Sequence, residues 1–174
     1  MPESTPSILV LSERLDRWFS HPDALAELLR AEGINDIETG WVEDLSLDML
    51  DERALVILGP AEPSPPIQEM LMAFVTGGGG LVCCSPGEHF AATMGLVSRK
   101  LGVADGRMKI SIEGFPDHGL PLKGWSQRYT GSKGEYKVLA PLMDADSKAT
   151  GDGAVFHIHK GAGNLIVLAY DVAA

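Results

Sequence analysis

Residues 74–95, FVTGGGGLVCCSPGEHFAATMG, are the stretch that most limits what this chain can fold into. They predict the end of a helix, a glycine-rich break, a buried strand at Leu81–Cys84, a sharp turn and a new helix. In an α/β protein such a turn lies at the carboxyl end of a central strand, where ligands and nucleophiles usually sit. The turn itself, residues 83–87, is close to the G-x-[SC]-x-G nucleophile elbow. This stretch therefore marks both the centre of a predicted sheet and a candidate functional site.

Apolar runs on either side extend the pattern of alternating strands and helices. Ser7–Ser12 and Ala54–Leu58 are short, branched and apolar, which is typical of buried parallel strands. We expect these two runs and Leu81–Cys84 to be parallel neighbours, because stretches with helical spacing lie between them. After residue 95 the pattern changes to strands with little helix between them, and the last two form a hairpin turned at residues 161–163.

The four glycines at residues 77–80 have two interpretations. A phosphate-binding loop follows a strand and ends in Lys-Ser/Thr, whereas this run precedes a strand and lacks that ending. We therefore expect the run to end a helix that begins after Ser64, with Pro65 or Pro66 in its first turn. A helix that ends in this way commonly needs a left-handed cap, so at least one of the glycines should have a positive φ.

Composition limits the function classes. The 174 residues, 45% hydrophobic and 22% charged, predict one globular domain over residues 1–174. The net charge of -10 argues against a nucleic-acid partner and against binding to anionic membranes. No signal peptide or membrane-spanning run is visible, and two adjacent cysteines on opposite strand faces predict a reduced, cytoplasmic setting. No cofactor is predicted.

Four segments resemble the class I glutamine amidotransferase-like superfamily, and within it the ThuA-like branch. They are ALVILGP, IQEMLMAFVTGGGGLVCCSPG, FPDHGLPLKG and GAGNLIVLAYD. Together with the order of elements, the resemblance implies a flavodoxin-like three-layer α/β/α domain. Its sheet would be mostly parallel, with an antiparallel C-terminal hairpin added.

The resemblance also implies where a nucleophile would lie. The superfamily's catalytic position falls on Ser85, or on Cys84 if the register shifts by one residue. Pro86 has no N–H to contribute to an oxyanion hole, and the chain closes on Asp171 where a His and a Glu are expected. We therefore predict that the protein is not a glutamine amidotransferase.

Residues beside the elbow have a functional and a structural interpretation. Ser85, with Glu88 and His89 close behind it, suggests a serine hydrolase. The alternative, which we favour, is that Ser85 caps the next helix and Glu88 completes a capping box. The resemblance places Asp117 and His118 on a loop near the cleft, where they either act on a ligand or fix the loop.

Aromatic and histidine residues further along the chain add weaker candidates. Trp125 and Tyr129 either line a shallow binding surface or cap the core. His157 and His159 project from one face of a strand, a spacing that can bind a metal. No cysteine lies nearby in sequence, so an ordinary solvated sheet face is favoured and no metal site is predicted.

These observations leave three hypotheses for function. The first is a catalytically silent amidotransferase-like domain that binds a small ligand or a protein partner. The second is a hydrolase that acts on an amide, ester or sugar-derived substrate through Ser85 or Cys84. The third is a structural or oligomerising module of a larger sugar-processing protein, with homo-oligomer formation as one outcome.

Overall fold

A computed structural model describes residues 7–14, 22–110, 119–131 and 136–172. Within these residues lie thirteen strands and four α-helices. The strands are β1 Ile8–Ser12, β2 Ile37–Trp41, β3 Leu55–Leu58, β4 Gly80–Cys84, β5 Leu96–Ser98, β6 Val103–Ala104, β7 Arg107–Met108, β8 Leu120–Pro121, β9 Trp125–Ser126, β10 Tyr129–Gly131, β11 Tyr136–Met143, β12 Ala149–Lys160 and β13 Gly163–Leu168. The helices are α1 Pro22–Ala31, α2 Leu47–Leu50, α3 Pro65–Thr76 and α4 Glu88–Thr93.

The first half of the chain builds a parallel sheet. Strand β1 lies between β2 and β3, β3 pairs with β4, and all three pairings are parallel. Val10 lies opposite Ile57, and Ile57 lies opposite Val82, so the apolar runs align residue by residue. The prediction that these three apolar strands are parallel neighbours is confirmed. Strand β13 joins β4, also in parallel, and carries the sheet into the C-terminal half.

The flavodoxin-like, mostly parallel three-layer fold expected from the sequence is wrong. The large sheet has eleven strands, in which four neighbouring pairs are parallel and six are antiparallel. The four helices of the described part are short, and α2 and α4 have only 4 and 6 residues. Beyond α4, turns such as that at residues 161–162 join the strands. A parallel pair needs a crossover of a dozen or more residues, so these strands pair antiparallel and sheet dominates the structure.

The core lies mainly on one face of this sheet. Strands from both halves contribute to it, with Leu9, Leu81, Leu165 and Phe156 all buried. Helices α3 and α4 cover this face with buried apolar side chains. On the opposite face, α1 packs against β1 and β3 through Leu25. The carboxyl end of β4 is therefore held by packing on both sides of the central strands.

Helix α3 begins and ends as its local sequence predicts. Its N-cap is Ser64, Pro65 occupies the first turn, and the helix ends at Thr76. Gly78 has a φ of 117°, a conformation that other residues rarely adopt. The expected positive φ within the glycine run is confirmed. None of the helices in the described residues has the length and hydrophobicity needed to cross a bilayer.

Candidate functional site

The elbow after β4 is a strained turn. Ser85 has a φ of 46° although it carries a side chain, and its N–H donates to the carbonyl oxygen of Leu168 at 2.7 Å. A positive φ strains the backbone of a residue other than glycine, so this conformation persists only where the surrounding structure holds it in place. The turn therefore resembles a nucleophile elbow in its backbone, so its chemistry depends on the side chains around it.

Tyr129 fastens this turn from inside the core. Its side chain is fully buried, and its hydroxyl donates to the carbonyl oxygen of Pro86. Burial raises the pKa of Tyr129, and a hydrogen bond from the Ser85 hydroxyl opposes that rise. Tyr129, a sequence candidate for a binding surface, thus lies beneath the elbow with Ser85 hydrogen-bonded to it.

The two cysteines are buried and protonated. Burial raises the pKa of Cys84 to about 12, and the nearby Asp171 carboxylate adds to the rise. Burial also raises the pKa of Cys83, and the neighbouring Cys84 adds to it. Because the thiolate is the nucleophilic form of cysteine, neither side chain is activated at neutral pH.

A carboxylate from another loop occupies the first amides of α4. Glu62 follows β3, and its two oxygens accept hydrogen bonds from the N–H groups of His89 at 3.0 Å and Phe90 at 2.9 Å. Gln68 also donates to this carboxylate, from Nε2 to Oε1 at 3.1 Å. The N-cap of α4 is Gly87, where a Cβ would overlap the Glu62 side chain. Glycine is therefore required there for the carboxylate to reach the helix.

The capping box predicted from Ser85 and Glu88 is wrong. Helix α4 begins two residues later than that motif requires, because Pro86 and Gly87 still belong to the turn. Glu62 takes the role expected of Ser85. Sequence reasoning missed Glu62, and the one signal for it was an acidic residue between prolines in the loop after a neighbouring parallel strand.

Glu88 and His89 lie at the surface on the first turn of α4. The His89 side chain is 86% exposed, and its Nδ1 lies 3.8 Å from Oε2 of Glu62. In the part of the chain that the structure describes, no imidazole pairs with Ser85 or Cys84. Asp117 and His118, the other two predicted site residues near the cleft, lie outside the described residues.

A cavity of about 270 Å³ opens beside the elbow. Its walls are Pro86, Gly87, Glu88, Ser98, Arg99, Lys100 and Gln127. Glu88 is the one sequence candidate that contributes to it. Trp125 is not part of this wall. Trp125 as a whole is 55% exposed, and its ring lies against Gly102, where an added Cβ would overlap it.

The histidine pair on β12 has ordinary partners. Nε2 of His157 lies 2.9 Å from Oδ1 of Asn164. The rings of His157 and His159 pack edge to face, with their centroids 4.5 Å apart. Across residues 7–14, 22–110, 119–131 and 136–172, no three His, Cys, Asp or Glu side chains converge as metal ligands do.

No family model and no curated protein matches the chain. Solved structures match its fold. An exo-β-1,4-mannosidase from Opitutaceae bacterium strain TAV5 is 15% identical with a TM-score of 0.67, covering 97% of this chain and 32% of the mannosidase. A β-galactosidase from Bacillus circulans sp. alkalophilus is 14% identical with a TM-score of 0.71, covering 97% and 29%. A cytoplasmic protein from Salmonella typhimurium LT2 is 13% identical with a TM-score of 0.65, covering 94% and 87%.

These similarities are of fold alone, since fold does not carry function at such low identity. The chain spans about a third of the length of the two glycosidases. None of the three structures is named as a glutamine amidotransferase. The sheet-rich architecture and these neighbours conflict with the amidotransferase-like and flavodoxin-like description inferred from sequence, which is corrected accordingly.

Proposed function

We propose that this chain is a non-catalytic domain in which the elbow is a structural joint. The observation that carries the proposal is the Glu62 carboxylate on the first amides of α4. A hydrolase needs donors there for the oxyanion that forms during the reaction. Pro86 has no N–H, and the amides of His89 and Phe90 are already bonded. An oxyanion formed here would face the negative charge of the Glu62 carboxylate and would find no free N–H donors at these positions.

The missing activation of a nucleophile supports the same proposal. The Cys84 thiol keeps its proton because burial raises its pKa to about 12. The Ser85 hydroxyl is hydrogen-bonded to Tyr129, whose own pKa is raised by burial, so the tyrosine does not serve as a base at neutral pH. A serine nucleophile needs a base within hydrogen-bond reach.

The setting that we propose is a structural or interaction module, with sugar-processing proteins as the favoured context. The matched part of the mannosidase and of the β-galactosidase is about a third of each chain, which supports a unit that accompanies other parts of a larger protein. The Salmonella protein supports a second arrangement, in which this fold makes up most of a chain. That protein is named as cytoplasmic, which agrees with the location that we predict. A small ligand or a protein is the partner class that fits such a module.

The test is an assay of the purified chain for hydrolysis. An aryl acetate, an aryl β-galactoside, an aryl β-mannoside and glutamine are offered to the natural chain, to Ser85→Ala and to Cys84→Ala. We expect all three proteins to give the rate of buffer alone. Ser46→Ala is the matched control, because Ser46 is exposed and its side chain caps nothing.

Turnover that disappears in Ser85→Ala or Cys84→Ala, and that Ser46→Ala retains, would overturn the proposal in favour of the hydrolase alternative. Circular dichroism of each variant separates loss of chemistry from loss of folding.

A further inference from the structure

We propose that the cavity beside the elbow binds a small monoanionic ligand through its carboxylate, and that Arg99 and Lys100 are the residues that recognise it. We take this ligand to be a sugar acid, and that choice rests on the proposed function. The preference for an anion rests on the cavity alone. The cavity encloses about 270 Å³. That volume lies just below the usual range for drug-sized ligands and suits a single small molecule.

A buried carboxylate places Arg99 at the cavity wall. Asp152 on β12 has a fully buried side chain, with Arg128 Nε 2.5 Å from Oδ2 and Arg99 Nε 2.7 Å from Oδ1. A buried carboxylate is costly unless it is paired, so this arrangement holds both guanidinium groups in place. The two guanidinium groups carry two positive charges against the single negative charge of Asp152, so the cluster has one net positive charge.

The guanidinium of Arg99 still has N–H donors available for a ligand. Its side chain is 50% exposed, and its contact with Oδ1 is not an aligned hydrogen bond, although the atoms are only 2.7 Å apart. The pair is thus held by charge, and the side chain of Arg99 has no other partner among the described residues. A guanidinium offers five donors in a planar fork, which matches a carboxylate in two-point contact.

The other polar side chains that line the cavity are also available to bind a ligand. Within the described part of the chain, the side chains of Glu88, Ser98, Lys100 and Gln127 make no hydrogen bond or ion pair. Lys100 adds a second accessible cation, while the hydroxyl and amide groups of Ser98 and Gln127 suit hydroxyls of a ligand.

The charges around the cavity favour a single negative charge. Arg99, Arg128 and Lys100 oppose Asp152 and Glu88, which leaves one net positive charge in a chain of net charge -10. A carboxylate matches that surplus. A phosphate dianion would exceed it and would be repelled by Glu88.

The test is calorimetric titration of the full chain with three probes: D-glucuronate, D-glucose and inorganic phosphate. Glucuronate and glucose share a ring and differ in the carboxylate. We expect saturable binding of glucuronate, weaker binding of phosphate, and no binding of glucose. Arg99→Gln and Lys100→Gln should each weaken glucuronate binding about tenfold or more, since each removes a charge-assisted contact.

Lys148→Gln is the matched control, because it removes the same charge from an exposed side chain whose contact is with Asp146. It should bind glucuronate as the natural chain does. Lys100→Gln keeps the test decisive if Arg99→Gln fails to fold after Asp152 loses a partner. Equal binding of glucose, tighter binding of phosphate, no binding of glucuronate, or equal loss in Lys148→Gln would each overturn the proposal. Turnover of a substrate would overturn the non-catalytic function and leave this result standing.

Discussion

Glu62 accepts hydrogen bonds from two main-chain amides in the first turn of α4, beside the elbow. A carboxylate at the start of a helix satisfies donors that have no partner within the helix and interacts favourably with the helix dipole. Since α4 has only 6 residues, the cap holds a large part of it. In the non-catalytic function that we propose, the same carboxylate also occupies amides that could otherwise bind an oxyanion.

We predict that Glu62→Ala lowers the free energy of unfolding by about 1–2 kcal/mol, the usual cost of losing a helix cap. Urea denaturation measures the change. Glu69→Ala is the control, because Glu69 is exposed on α3 and should cost much less. Equal effects of the two substitutions would show that the cap does not stabilise α4.

Alanine substitutions at the neighbouring Gly77 and Gly78 distinguish the cost of backbone strain from that of adding a methyl group. Gly78 has a φ of 117°, whereas Gly77 has a helical φ of -75° and room for a methyl group. Gly78→Ala should therefore cost about 1 kcal/mol of stability through strain, and Gly77→Ala should cost clearly less. Thermal melts of both variants measure the difference. A Gly78→Ala variant as stable as the natural chain would show that this position tolerates a side chain.

At the scale of elements, β10 connects the elbow to the antiparallel half of the sheet. Strand β10 pairs with β5 and β12, and its Tyr129 reaches the main chain of the elbow. The turn that follows the parallel strand β4 is thus fixed by a strand from the other half. This connection explains how Ser85 keeps a positive φ.

We predict that Tyr129→Phe costs about 1–2 kcal/mol, because the buried carbonyl of Pro86 loses its donor and the ring remains in place. Chemical denaturation measures the loss. Tyr136→Phe is the matched control, since Tyr136 is 41% exposed and its ring contacts that of Phe156. If both variants lose the same stability, the hydroxyl of Tyr129 does not fasten the elbow.

At the scale of the whole molecule, several buried acids set the response to alkaline pH. Burial raises the pKa values of Cys83, Cys84, Tyr129 and Tyr170. For Cys84 the rise is from 9.0 to about 12. Between these values the unfolded chain has lost a proton that the folded chain retains. The free energy of unfolding therefore falls as pH rises through this interval.

We predict that stability measured in urea is lost progressively from about pH 9 upward, and that the loss is reversed when the pH is lowered again. Cys84→Ala should show a shallower slope against pH, because one of the groups is gone. A slope that Cys84→Ala leaves unchanged would mean that this thiol titrates equally in both states.

Local features of the chain determined much of the first half of the fold. The apolar runs in β1, β3 and β4, the start of α3 at Ser64 and the glycine break at residues 77–80 follow from side-chain periodicity and turn chemistry. These signals act over a few residues. They could therefore be derived without knowing what lies elsewhere in the chain.

Only the tertiary structure decided the sheet as a whole and the character of the elbow. Short turns after α4 produced antiparallel pairs, and β13 joined the two halves. Glu62 meets Phe90 across 28 residues, and Tyr129 meets Pro86 across 43. A sequence pattern indicates that a carboxylate or hydroxyl is present, but the packing of loops decides which donor or acceptor it reaches. For that reason the G-x-[SC]-x-G likeness located the turn, while the contacts of Glu62 and Tyr129 beside it came from the tertiary structure.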